Sequence, residues 1–90
     1  AVGLAQLRKL DSFNARRAEI AGEYAKGLQG IRGLRLPCVQ PHIKHSYHVC
    51  TVLLEPEFRM NKEDFMWAMY TEKQIKVWSH YTPIHLTTAY

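Results

Sequence analysis

Residues 1–29 repeat their apolar side chains at helical spacing, and that run sets the scale for anything that folds around it. Leu4, Leu7, Leu10 and Phe13, then Ile20, Tyr24 and Leu28, recur close to every ~3.5 residues, with Ala5, Ala15, Ala21 and Ala25 padding the stripe. Gly30 stands where a left-handed cap residue is expected, and Gly33 and Pro37 follow it. No Ser, Thr, Asp or Asn precedes the first apolar residue, so the start carries no cap. Asp11-Ser12 offers a second start that would split the run, and Gly22 and Gly27 weaken its interior. At about 1.5 Å per residue, an unbroken helix here runs roughly 43 Å. A compact globule of 90 residues has a radius of gyration of about 12 Å, hence a diameter near ~30 Å. Such a helix overhangs its own domain. The expectation is a piece of a larger protein.

Residues 33–41 read as a connector holding one extended stretch, Leu34-Arg35-Leu36, bounded by Pro37 and Pro41. Residues 45–54 are rich in β-branched and aromatic types and suit a strand, apolar on both faces and therefore central in a sheet. A turn carrying Pro56 follows. Asn61 is a good helix cap, and Asp64 three residues later gives a start like a capping box. Phe65, Met66, Met69 and Tyr70 share one helical face to about Lys73, and a second strand is expected at residues 75–79. The order predicts an α+β fold: a long N-terminal helix plus a small sheet of few strands with a second helix. Residues 1–30 form an interdomain helix in this reading, and residues 31–90 a small α+β domain.

Charge narrows the partners. The chain carries 12 basic and 8 acidic residues, a net charge of +4, but its basic positions share the first helix with Asp11, Glu19 and Glu23. That is the pattern of a solvated face, and nucleic acid is not expected as a partner. The apolar runs are too short to cross a bilayer, so no membrane is expected either. The opening Ala1-Val2-Gly3-Leu4 lacks the basic region and cleavage site of a signal peptide. Cys38 and Cys50 make no disulfide framework, which fits a reducing cytoplasm.

The candidate functional residues concentrate at the end of the chain. His80, Tyr81 and His85 bring imidazole and phenol groups together within six residues, with Pro83 stiffening the turn between the histidines. They follow an expected strand end, where sheet folds place ligands. The bland alternative is surface or interface packing. Histidines at 42, 45, 48, 80 and 85 lie near Cys38 and Cys50, yet no Cys-x-x-Cys or His-Glu-x-x-His spacing exists, and no metal site is assigned. A His-rich, non-enzymatic interaction module that binds zinc stands as the alternative function. Ser46 and His48 lack the elbow, oxyanion hole and carboxylate of a hydrolase, and no Gly-rich phosphate loop is present.

Three segments in order resemble the DegT/StrS family of pyridoxal-phosphate (PLP) aminotransferases, which act on nucleotide-linked keto sugars. The opening helix through Asp11 is similar to the helix that begins the C-terminal part of those enzymes. His45-Ser46-Tyr47-His48 with the apolar residues after it resembles the family's Ser-[Tyr/Trp]-His-hydrophobic strand. His80-Tyr81-x-Pro83-Ile84-His85-Leu86, ending in Ala89-Tyr90, resembles its His-Tyr-x-Pro-[Ile/Leu]-His-Leu segment. The resemblance implies the small C-terminal domain of a fold-type-I aminotransferase, with the long helix bridging two domains, in a homodimer. It implies glutamate or glutamine as amino donor and a nucleotide sugar as substrate. His80, Tyr81 and His85, with His45 and Tyr47, would line the sugar-nucleotide side of the pocket. PLP and its Schiff-base lysine would belong to a large domain outside this chain; Lys44 and Lys76 do not match that lysine. No catalytic residue is therefore assigned here. Where the family often has glycine around Ile75 and Gly or Ser near 78, this chain has Gln74, Lys76 and Trp78.

Overall fold

In the computed structural model, which describes residues 1–88, the chain forms two compact units, Ala1–Arg59 and Met60–Tyr90. Together they make a small α+β fold: helices α1 (Val2–Leu7), α2 (Leu10–Leu28) and α3 (Lys62–Lys73), and strands β1 (Leu34–Arg35) and β2 (Leu53–Leu54). The segment ending in Ala89-Tyr90 therefore has its last two residues outside the described ones.

The N-terminal run is helical but divided. The break falls at Arg8-Lys9, ahead of the expected second start at Asp11-Ser12. The amide of Lys9 bonds the Gln6 carbonyl at 3.0 Å, a tighter turn than the α-helical ladder. In the first turn of α2, Ser12 donates its hydroxyl to the Lys9 carbonyl at 2.8 Å. Serine hydroxyls compete for backbone carbonyls in this way and bend helices. The exit of α2 follows the expectation: Gln29 is extended at φ −65°, ψ 136° and Gly30 takes φ 83°, as the central pair of a type II turn requires.

In the first unit, β1 and β2 pair antiparallel, Leu34 opposite Leu54 and Arg35 opposite Leu53. The Glu55 amide continues the pairing to the Gly33 carbonyl at 2.7 Å, and the Arg35 guanidinium meets the Glu55 carboxylate at 2.6 Å. Gly33 sits at φ 78°, and a methyl group there would run into the backbone of Glu57 and Phe58. The expected turn is present, with the Phe58 amide bonding the Glu55 carbonyl across Pro56. The expected strand over residues 45–54 contracts to Leu53–Leu54. Tyr47 at φ 51° leaves extended geometry, His48 and Val49 bend, and β1 offers only two residues for pairing.

The second unit is α3 and the segment after it. Asn61 caps α3 as expected, its Oδ1 accepting from the Asp64 amide at 2.8 Å. Phe65, Met66 and Met69 are half-buried on one face, but Tyr70 is 58% exposed and leaves the apolar face expected to include it. The helix ends at Lys73 with Gln74 left-handed at φ 56°, and the amides of Gln74 and Ile75 both reach the Met69 carbonyl. Residues 75–79 form no strand; they run on without a ladder partner. A short 3₁₀ turn, Ile84–Leu86, closes the described chain. Among the described residues none is fully buried, and no helix is long and apolar enough to cross a membrane.

Gln74 occupies a position that suits glycine. A side chain in the left-handed region costs about 1 kcal/mol, which glycine avoids. Gln74→Gly is therefore expected to raise the denaturation midpoint of α3, followed by circular dichroism, by an amount equivalent to about 1 kcal/mol. A lower midpoint would show that the Gln74 side chain contributes more than its backbone costs.

Candidate functional site

The five residues singled out in the sequence fall into two groups, one in each unit. In the second unit, His80 and Tyr81 bring their rings to 4.9 Å between centroids at a tilt of 43°. Tyr81 is 88% exposed, so its phenol is presented outward. Pro83 precedes the 3₁₀ turn, whose middle residue is His85, and the turn is closed by the Thr87 hydroxyl donating to the Ile84 carbonyl at 2.7 Å. Among the described residues His85 makes no hydrogen bond or ring contact with His80 or Tyr81. The structure thus pairs two of the three polar rings and leaves the third separate, on the turn.

Between α3 and the residues just after it lies an open groove of about 460 Å³, lined by Glu63, Met66, Trp67, Tyr70, Lys76 and Val77. Trp67 and Tyr70, three residues apart on the helix, bring their rings to 6.4 Å and stand mostly outside. Lys76 and Trp78 face each other, with the ammonium 5.9 Å from the ring centroid, a cation–π distance. Lys62 ties the start of α3 to the same stretch, donating to the Ser79 hydroxyl at 3.4 Å. Trp67 escaped the sequence reading: the i, i+3 pairing of Trp67 with Tyr70 was its available signal.

In the first unit, His45 and Tyr47 form a hook. The Tyr47 amide donates to His45 Nδ1 at 2.8 Å, and the two rings lie 4.4 Å apart at 44°. Accepting at Nδ1 leaves that nitrogen bare, so the neutral ring carries its hydrogen on Nε2 and offers it as a donor. Tyr47 holds its left-handed φ of 51° through this bond. A bulky residue in that region is a true outlier, and such outliers persist where surrounding contacts determine them. His45 is exposed while Tyr47 is half-buried against α2.

Neither cysteine is paired, and both are exposed. Among the described residues no three His, Cys, Asp or Glu side chains gather as metal ligands would, so the zinc alternative gains no geometric support.

Comparison with known proteins adds the family. The model of the DegT/DnrJ/EryC1/StrS aminotransferase family matches residues 1–90. The chain is 33% identical over 91 residues to the spore coat polysaccharide biosynthesis protein SpsC of Bacillus subtilis, covering 100% of this chain and 23% of that protein. It is 35% identical over 86 residues to the dTDP-3-amino-3,4,6-trideoxy-alpha-D-glucose transaminase of Streptomyces venezuelae, covering 94% and 21%. It is 36% identical over 92 residues to the dTDP-4-dehydro-2,3,6-trideoxy-D-glucose 4-aminotransferase of Saccharopolyspora spinosa, covering 100% and 23%. The chain thus spans less than a quarter of the length of these relatives. No solved structure matches it.

The His45 hook is testable apart from any ligand. His45→Ala removes a hydrogen bond worth about 1 kcal/mol, enough to shift Tyr47 about fivefold toward extended geometry. His45→Asn is expected to restore the native conformation, because an Asn side chain bonds the amide two residues on. Three-bond couplings and backbone chemical shifts of Tyr47 report its φ. An unchanged φ in His45→Ala would assign the turn to something other than the imidazole.

Proposed function

From the premise that this chain belongs to the DegT/DnrJ/EryC1/StrS aminotransferase family, we propose that it is the C-terminal part of a PLP-dependent enzyme that aminates a nucleotide-linked keto sugar. The observation that carries this reading is the match of the family model over residues 1–90, beside transaminases of dTDP-linked sugars that the chain covers only to 21% and 23%. Glutamate or glutamine is the proposed amino donor, and the proposed parent is a cytoplasmic homodimer. Residues 1–30 are its interdomain helix and residues 31–90 its small domain in this reading.

The chain's own residues supply polar rings. His80, Tyr81 and His85 are proposed to meet the hydroxyl and carbonyl oxygens of the sugar nucleotide, which accept from imidazole N–H and phenol O–H groups. Their exposure supports this, since each ring is free to face a ligand. His45 contributes a donor at Nε2, and the hook sets the place of the Tyr47 phenol. Both roles are binding and orientation.

The same residues do not fit the cofactor. Lys76 is the lysine on the groove beside α3, and the groove's other charged member is Glu63, a carboxylate that repels a phosphate ester. Its remaining walls, Met66, Trp67, Tyr70 and Val77, are apolar or aromatic. No step of transamination is assigned to this chain, and the chain by itself is proposed to be inactive.

Mixing the purified chain with PLP is expected to leave the cofactor's absorbance as it is in buffer with free lysine at equal concentration, and to give no amino transfer from glutamate. A stoichiometric protein-bound absorbance band surviving gel filtration would contradict the assignment.

A further inference from the structure

We propose that the His45–Tyr47 hook is a proton-operated switch: the neutral imidazole holds residue 47 in left-handed geometry, and protonation of His45 releases it to extended backbone. The Tyr47 amide donates to His45 Nδ1 at 2.8 Å, and Tyr47 stands at φ 51°. That bond uses the lone pair on Nδ1. The same lone pair takes the proton from solvent when a ring carrying its hydrogen on Nε2 becomes charged. One nitrogen cannot hold both.

Rotation of the ring does not rescue the bond. In the imidazolium both nitrogens are donors, so either one turned toward the Tyr47 amide sets N–H against N–H. Histidine is also the side chain whose charge changes between about pH 5 and 8. The bond is therefore present on the alkaline side of the ring's titration and absent on the acid side.

Two other forces bear on Tyr47. The imidazole and phenol rings lie 4.4 Å apart at 44°, and a charged ring is attracted to an aromatic face at that distance. This attraction does not choose between the conformers. Residues i and i+2 of an extended segment point to the same side, so His45 and Tyr47 stay neighbours after release. The second force is backbone preference. A bulky side chain adopts the left-handed region only where contacts hold it there. Val49, Thr51 and Val52, which follow, are β-branched and favour extended geometry. With the amide bond gone, the backbone favours release.

No anionic partner holds the charged ring in the hook. Lys44, His42 and His48 are the charged and titratable groups beside it on the same segment, and Arg17 and Tyr24 of α2 line a notch with Tyr47 and Cys50. None is a carboxylate, and His45 forms no ion pair among the described residues. His45 is exposed, so solvent protons reach it directly. The switch rests on the hook and not on transamination, so either reading can fail without the other.

The test is a nuclear magnetic resonance titration of the ¹⁵N-labelled chain between about pH 8 and about pH 5. The three-bond coupling of Tyr47 reads its φ, and the His45 ring nitrogens read tautomer and charge. The ratio of hooked to extended Tyr47 is expected to fall about fivefold or more, the factor that one hydrogen bond supplies, with the midpoint of His45 protonation. His45→Asn, whose amide accepts the same bond and does not titrate, is expected to keep Tyr47 left-handed across the range. His42→Gln and His48→Gln are expected to retain the transition. Amides of α2 are expected to hold their positions, which separates a local switch from general acid unfolding. A Tyr47 φ that stays constant while His45 charges, a transition that persists in His45→Asn, one that follows His42 or His48, or movement of α2 with the same midpoint would overturn it.

Discussion

A helix of 19 residues cannot be covered by two strands of two residues each, and the rest of this structure follows from that disproportion. The face of α2 marked by half-buried Asn14, Ala21 and Leu28 is polar or small at two of its three positions. The more apolar stripe, Leu10, Phe13 and Ile20, remains exposed, and Leu4 and Leu7 extend it along α1. Burying apolar area at about 25 cal/mol per Å² is the main force that holds a domain together. Here much of that area stays in contact with solvent, and none of the described side chains is fully buried. Local devices carry the order instead: the Asn61 cap, the Gly30 turn, the Arg35–Glu55 pair and the Ser12 bond at the helix break.

Those local devices are also what the sequence made legible. A cap needs only Asn61 and Asp64, a helix end only a residue that tolerates left-handed geometry, and a turn only Pro56 after Glu55. Each is decided within a few residues, so reading along the chain finds it. The strand over residues 45–54 failed for the opposite reason. Its composition suits a strand, but a ladder needs a partner of equal length, and β1 supplies Leu34 and Arg35 alone. The hook at Tyr47 was hidden too, since a β-rich context gave no hint that His45 would accept the amide two residues on. The break at Lys9 takes the form of one tightened turn, the Lys9 amide bonding the Gln6 carbonyl, which no residue type at that point announces.

The same split governs the functional residues. The polar rings were visible as residue types; that His80 and Tyr81 bring theirs to 4.9 Å while His85 stays apart was not. The departures at Gln74, Lys76 and Trp78 also acquire a physical account. Gln74 adopts the conformation for which glycine is suited, and Lys76 covers the indole of Trp78. The chain thus reads as a set of positioned recognition groups on a scaffold whose apolar surface is only partly engaged.

Native-state amide hydrogen exchange of the isolated chain tests that central claim most directly. Partial engagement predicts that amides in α2 and α3 exchange through low-energy local opening, with no contiguous block protected by the roughly 5 kcal/mol or more of a packed domain. A continuous stretch of α2 protected beyond that value, at concentrations where the chain is monomeric, would show a closed core and contradict the account.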